Sequence, residues 1–106
     1  MGVAPEIPVA FEREQGFTHS DWVRCLPGAM GGHAFALPAP GQAAVTLCGD
    51  AGGGRLYITW AVLPPRRIAL LSLPRLAVRY RFEGVAAPAR REFMRFFDLY
   101  MQRGGG

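Results

Sequence analysis

Two groups of residues in this sequence have the types that nucleophilic chemistry needs. His33 and Cys48 fall on neighbouring predicted strands, where an imidazole could take the proton of a thiol. His19, Asp21 and Cys25 fall on one short predicted helix. A thiolate nucleophile requires a base within hydrogen-bond reach and a third group that orients the base. The sequence offers no third group for His33 and Cys48. On the helix, His19 and Asp21 are two apart and do not share a face, and Cys25 is six from His19. The expectation is therefore two small buried thiols, with one disulfide as the lesser alternative. A metal centre needs three or four ligands at workable spacing, and two isolated His with two isolated Cys do not supply it. No cofactor fingerprint is present.

Two glycine-rich segments invite comparison with known chemistry. Gly49-Asp50-Ala51-Gly52-Gly53-Gly54 has the composition of a phosphate cradle. It lacks the Lys-Ser/Thr of a P-loop, and Arg55 onward reads as a strand rather than a helix N-terminus, so a hairpin loop is expected. The terminal Gln102-Arg103-Gly104-Gly105-Gly106 is similar to the tails of ubiquitin-like and sulfur-carrier proteins, whose Gly-Gly end is adenylated at its carboxylate. In those carriers the tail comes after the last strand; here it comes after a helix. A carrier or enzyme acting through Cys48/His33 or this tail stands as a third reading of function.

The arginines are the one feature with a functional slant. All twelve basic residues are Arg, and the net charge is +4. Residues 1–50 carry net −3, from Arg13 and Arg24 against Glu6, Glu12, Glu14, Asp21 and Asp50; residues 51–106 carry net +7. Either an anionic partner meets the second half, or the acidic half folds back on it. Arg66 and Arg67 are expected at a hairpin tip, Arg75 at a bend, and Arg79 and Arg81 on a polar strand face. Tyr57 and Thr59 join that face if their strands align. Such a face can hold nucleic acid, with guanidinium on phosphate and rings on bases. Arg91 and Arg95 fall on the outer side of a terminal helix instead, which splits the charge between two surfaces. Beside these residues, Leu63, Leu71, Leu73 and Leu76 lie around Pro-rich bends and form a candidate apolar interaction patch.

The elements that position these residues are set by periodicity. Residues 1–16 read as an extended arm whose Ile7, Val9 and Phe11 alternate correctly for pairing at a sheet edge. Thr18 is an N-cap with Asp21 three residues on, and Phe17 and Trp22 occupy the two positions of a hydrophobic staple. The helix so started carries Trp22, Val23, Cys25 and Leu26 and ends or turns sharply at Pro27-Gly28. From Gly31 to Gly84 the period is two. Short strands are expected at 33–37, 42–48 and 55–63, the last broken by Pro64-Pro65. Ile68–Leu73 is apolar on both faces and reads as a central strand, and Leu76–Glu83 alternates again. Short Gly/Pro connections imply an antiparallel meander. Pro88 opens a terminal helix with Phe93, Phe96, Phe97, Tyr100 and Met101 on one side.

Phe93–Gly106, taken with Leu63–Leu71, resembles the C-terminal half of small bacterial proteins to which no activity is assigned. The resemblance implies a free-standing cytoplasmic domain from an Arg-, Ala- and Gly-rich proteome, and it transfers no site residue.

A chain of 106 residues allows one domain with a real core. Trp60–Val78 is interrupted by Pro64, Pro65, Arg66, Arg67, Pro74 and Arg75, so it is no membrane span. The N-terminus has no secretory pattern. The expected fold is α+β: a short helix, a sheet of four to six antiparallel strands, and a long C-terminal amphipathic helix on one sheet face. A bent barrel closed by the helix is the alternative. The expected core is Phe35, Val45, Leu47, Leu56, Ile58, Trp60, Ile68, Leu70, Val78, Tyr80 and Phe82 with Phe93, Phe96, Phe97 and Tyr100. The domain is expected over 17–103, with a glycine tail at 104–106. The leading function is a small cytoplasmic binding module without enzymatic activity or cofactor, contacting a protein partner or a second copy. Nucleic-acid binding through Arg66, Arg67, Arg75, Arg79 and Arg81 is the runner-up.

Overall fold

Period-two alternation through the middle of the chain builds an antiparallel sheet, and two amphipathic segments cover one of its faces. A computed structural model describes residues 6–47 and 53–104. In chain order the elements are β1 (Ala10–Gln15), α1 (His19–Ala29), β2 (Ala34–Ala36), β3 (Gln42–Leu47), β4 (Gly54–Ile68), β5 (Leu71–Glu83) and α2 (Ala87–Gly104). The sheet is open, with strand order β1-β5-β4-β3-β2. The α+β fold is as the sequence indicates, and the expected arm at 1–16 contributes an edge strand. Phe11 pairs with Tyr80, so the first strand lies beside the last.

α1 starts as its capping residues require. Thr18 is extended, and its hydroxyl accepts the Asp21 amide at 3.1 Å. The Phe17 and Trp22 rings meet at 5.6 Å, completing the staple. The helix does not stop at Pro27-Gly28. It runs to Ala29 and closes with short-range bonds from Met30 N to Pro27 O and from Gly31 N to Gly28 O. Leu26, Ala29 and Met30 are all buried, and that burial offsets the single N–H that Pro27 removes. Val23, which the helix also carries, is exposed.

The inner sheet face carries Val45, Leu56, Ile58, Leu76, Val78, Tyr80 and Phe82, all buried. Trp22 and Phe97 meet these from the helices: the Trp22–Phe97 rings lie at 6.0 Å and the Tyr80–Phe97 rings at 5.9 Å, both edge to face. α2 buries Ala89, Phe93, Met94, Phe97 and Met101. Phe96 and Tyr100, expected in the core, are exposed on the flank toward α1. The covered stripe is rotated because α1 lies beside α2 and presents glycines there. A side chain at Gly28 would run into the Tyr100 ring, and one at Gly31 would press on Phe96.

The largest departure concerns β4 and β5. They form one hairpin of 15 and 13 residues, closed by the two-residue turn Ala69-Leu70. Pro64-Pro65 does not end the strand; it sits in a bulge between the Leu63–Arg75 and Arg66–Leu73 pairs. β3 pairs with β4 only as far as Thr59, and β1 with β5 only as far as Leu76. Beyond those points no described strand neighbours the hairpin, so the missing proline donors break no ladder with a third strand. Ile68–Leu73 is therefore the end of a projecting hairpin and not a central strand. Ile68 and Leu70, expected in the core, are exposed, as is Phe35 on the short edge strand β2.

Candidate functional site

Because side chains alternate along a strand, register fixes which residues share a face. Tyr57 pairs with Arg81, and Thr59 with Arg79, so all four project from the sheet face opposite the helices. With Glu12 and Gln42 they line an open depression of about 630 Å³. The expected Arg/Tyr face thus exists. Its arginines are engaged, however. Arg79 Nε donates to Glu12 at 2.8 Å, and Arg81 Nη1 to Glu83 at 2.9 Å. The Arg81 guanidinium also lies 4.5 Å from the Tyr57 ring centre. Farther along, Arg66 and Arg75 converge on one carboxylate, Glu14, at 3.3 and 2.9 Å. Arg75 Nε additionally holds the Pro64 carbonyl at 2.9 Å, which pins the bulge.

Four of the five candidate arginines therefore pair with carboxylates, Arg66 and Arg75 sharing one, and three of those pairs use Glu12 or Glu14 of β1. The acidic half of the chain does fold back on the basic half. Arg91 pairs in the same way with Glu6. Arg67 is the exception: it stands opposite Ser72 near the turn and makes no ion pair among the described residues.

The leucine patch divides. Leu71 and Leu73 are 63% and 41% exposed, and Leu63 is half-buried. Leu76 is 0% exposed and belongs to the core, which corrects its place in the patch. It is the last β5 residue with β1 beside it, and the helices cover its face. The hairpin adds Val62 at 66% exposure and two residues that sequence reasoning assigned to the interior, Ile68 at 52% and Leu70 at 102%. The signal that hid them is the turn itself. Ala69-Leu70 contains no Gly, Asn or Asp, although Ala69 takes a left-handed φ of 53°. An alanine so placed costs about 1–2 kcal/mol.

The residues first considered for nucleophilic chemistry do not assemble into a described site. Cys25 is buried, against Gly104 of α2. The His33 ring lies 5.7 Å from Phe93. Cys48 and the last two residues of the glycine tail lie outside the described residues, as does most of the 49–54 loop. Among the described residues no group of three or more His, Cys, Asp or Glu is placed to hold a metal ion. No described helix is long and apolar enough to cross a membrane.

A second cleft, about 370 Å³, opens between β1 and α2 and is lined by Arg13, Gln15, Phe17, Asp98 and Met101. Its charges are already joined, Arg13 Nη1 to Asp98 Oδ1 at 2.7 Å. Beneath it the Tyr80 hydroxyl contacts Gln15 Oε1 at 3.3 Å. Burial pushes the Tyr80 phenol well above its ordinary value of 10.0; Arg13 opposes the shift and Asp98 adds to it. No protein-family model matches the chain, and comparison with curated proteins finds no match.

Proposed function

We propose that the protein is a small, basic, cytoplasmic interaction module with no catalytic chemistry of its own, and that it docks through the β4–β5 hairpin. One observation carries this reading: the hairpin leaves the rest of the sheet behind and ends in exposed Ile68, Leu70 and Leu71. Contiguous exposed apolar groups at the end of a two-stranded projection gain nothing for the isolated fold, and such patches mark interaction sites. The strained alanine in the turn points the same way, since strained positions cluster at functional sites. The one-to-one ion pairs of Arg79 with Glu12 and of Arg81 with Glu83 weigh against the alternative of a nucleic-acid groove on the sheet face, because both would have to open before a phosphate could contact that face.

The test is a photo-crosslinking side chain introduced at Leu70, with the same group at Thr46 as a control on the opposite end of the sheet. In a native lysate, adducts at position 70 and none at 46 are expected. Equal labelling at both positions, or none at either, together with a strict monomer by light scattering, overturns the reading.

A further inference from the structure

We infer that the surface this hairpin meets is an anionic lipid bilayer; the inference rests on the hairpin being the docking element. Three features of the tip separate a membrane from a protein partner.

The first is the order of chemistry along the hairpin. The extremity is apolar over four consecutive residues, Ile68-Ala69-Leu70-Leu71. Arg67 and Arg66 stand two to three rungs behind the turn, about 7–10 Å at the usual strand rise. An apolar segment seated at the headgroup boundary goes about 5–10 Å deep. With Leu70 at that depth, both guanidinium groups stand at the level of lipid phosphates.

The second is charge. Arg66 and Arg75 share one carboxylate, Glu14, and Arg67 has none among the described residues, which leaves net +2 at the collar. A basic collar behind an apolar tip complements an anionic surface that has a fluid apolar interior.

The third is the backbone. Strand addition by a protein partner needs free N–H groups along a hairpin edge. Pro64, Pro65 and Pro74 remove such donors from both strands. The direct Ile68–Leu71 pair across a two-residue turn closes the inward-facing polar groups of the tip, and the outward-facing ones stay at the hydrated headgroup boundary. Apolar side chains on both strands and on the turn also suit a fluid better than one flat protein surface.

The experiment is flotation of the full chain with two kinds of vesicle, phosphatidylcholine alone and phosphatidylcholine mixed with phosphatidylglycerol. Binding to the mixed vesicles only, weakened by salt, is expected. Leu70→Asp should abolish it, and Arg66→Gln and Arg67→Gln should each weaken it about fivefold. Leu70 is fully exposed, so its replacement leaves thermal unfolding unchanged and isolates docking from folding. In Leu70→Trp, indole emission shifts to the blue on addition of the mixed vesicles. Failure to float with either vesicle, or flotation indifferent to Leu70→Asp, overturns the inference. If flotation fails while position 70 still crosslinks to a protein or to a second copy, the lipid assignment falls and the interaction module stands. If both are silent, both fall.

Discussion

Arg13 and Asp98 join the edge strand to the C-terminal helix across 2.7 Å, and the same guanidinium lies 5.1 Å from the Phe11 ring and 5.5 Å from the Tyr80 ring. The arginine therefore does two things and the aspartate one. Both groups are partly exposed, so the ion pair is worth at most about 1 kcal/mol. Arg13→Gln should cost more in urea denaturation than Asp98→Asn, because it also uncovers the aromatic rings. The double variant should cost little more than Arg13→Gln alone. An equal loss from the two single variants would contradict the cation–ring contribution.

Gly28 and Tyr100 form a second coupled pair. Replacing a helical glycine with alanine ordinarily stabilises by about 1 kcal/mol. Here the new methyl group enters space held by the Tyr100 ring. Gly28→Ala should therefore lower the unfolding midpoint in the wild-type background and raise it in a Tyr100→Ala background. The same sign in both backgrounds would show that the ring swings aside at no cost.

Leu76 and Leu71 are five residues apart and similarly placed by sequence, yet only one is in the core. Leu76→Ala should lose about 2–5 kcal/mol as a cavity in the interior. Leu71→Ala should stay within about 0.5 kcal/mol. Chemical denaturation of the two variants measures this difference directly.

Tyr80 gives the fold an alkaline limit. Its phenol is harder to ionise in the folded chain than in the unfolded one, so above the ordinary tyrosine value of 10.0 the unfolded state releases the proton first. That contribution to stability is intact below pH 10.0 and declines as pH rises beyond it. Tyr80→Phe should flatten the decline, while losing about 0.5–1.5 kcal/mol at neutral pH with the contact to Gln15. Denaturation midpoints between neutral and strongly alkaline pH test both statements.

Much of the frame is legible because local rules act alone there. Thr18, Phe17 and Trp22 start α1 by contacts within one turn. Alternation at Leu56, Ile58 and Trp60 fixes the inner face, and with it the opposite face of Tyr57, Thr59, Arg79 and Arg81. What is not legible depends on where other elements end. Whether Pro64-Pro65 breaks a strand depends on whether a neighbour needs the missing donors, and no described strand reaches that far. Whether Ile68–Leu73 is interior depends on the reach of β1 and β3, which no periodicity within the segment encodes. The turn at Ala69-Leu70 has none of the usual turn residues. On α2, Phe96 and Tyr100 fit an apolar stripe, but the glycines of α1 set where the stripe is covered. Among the candidate site residues, the face of Arg79 and Arg81 can be read from sequence. Their carboxylate partners, contributed in part by a strand at the far end of the chain, cannot.

The pairing of β1 with β5 has a consequence for biosynthesis. A ribosome delivers Ala10–Gln15 early, but the residues they pair with, Leu76–Arg81, leave it only after more than half the chain has emerged. Until then Phe11 lacks its stacking partner Tyr80, and Glu12 and Glu14 lack their arginines. Such distant pairing slows folding, because the loop must close before its contacts are gained. The nascent chain can assemble β2, β3 and β4 first, and the sheet is completed by its oldest strand.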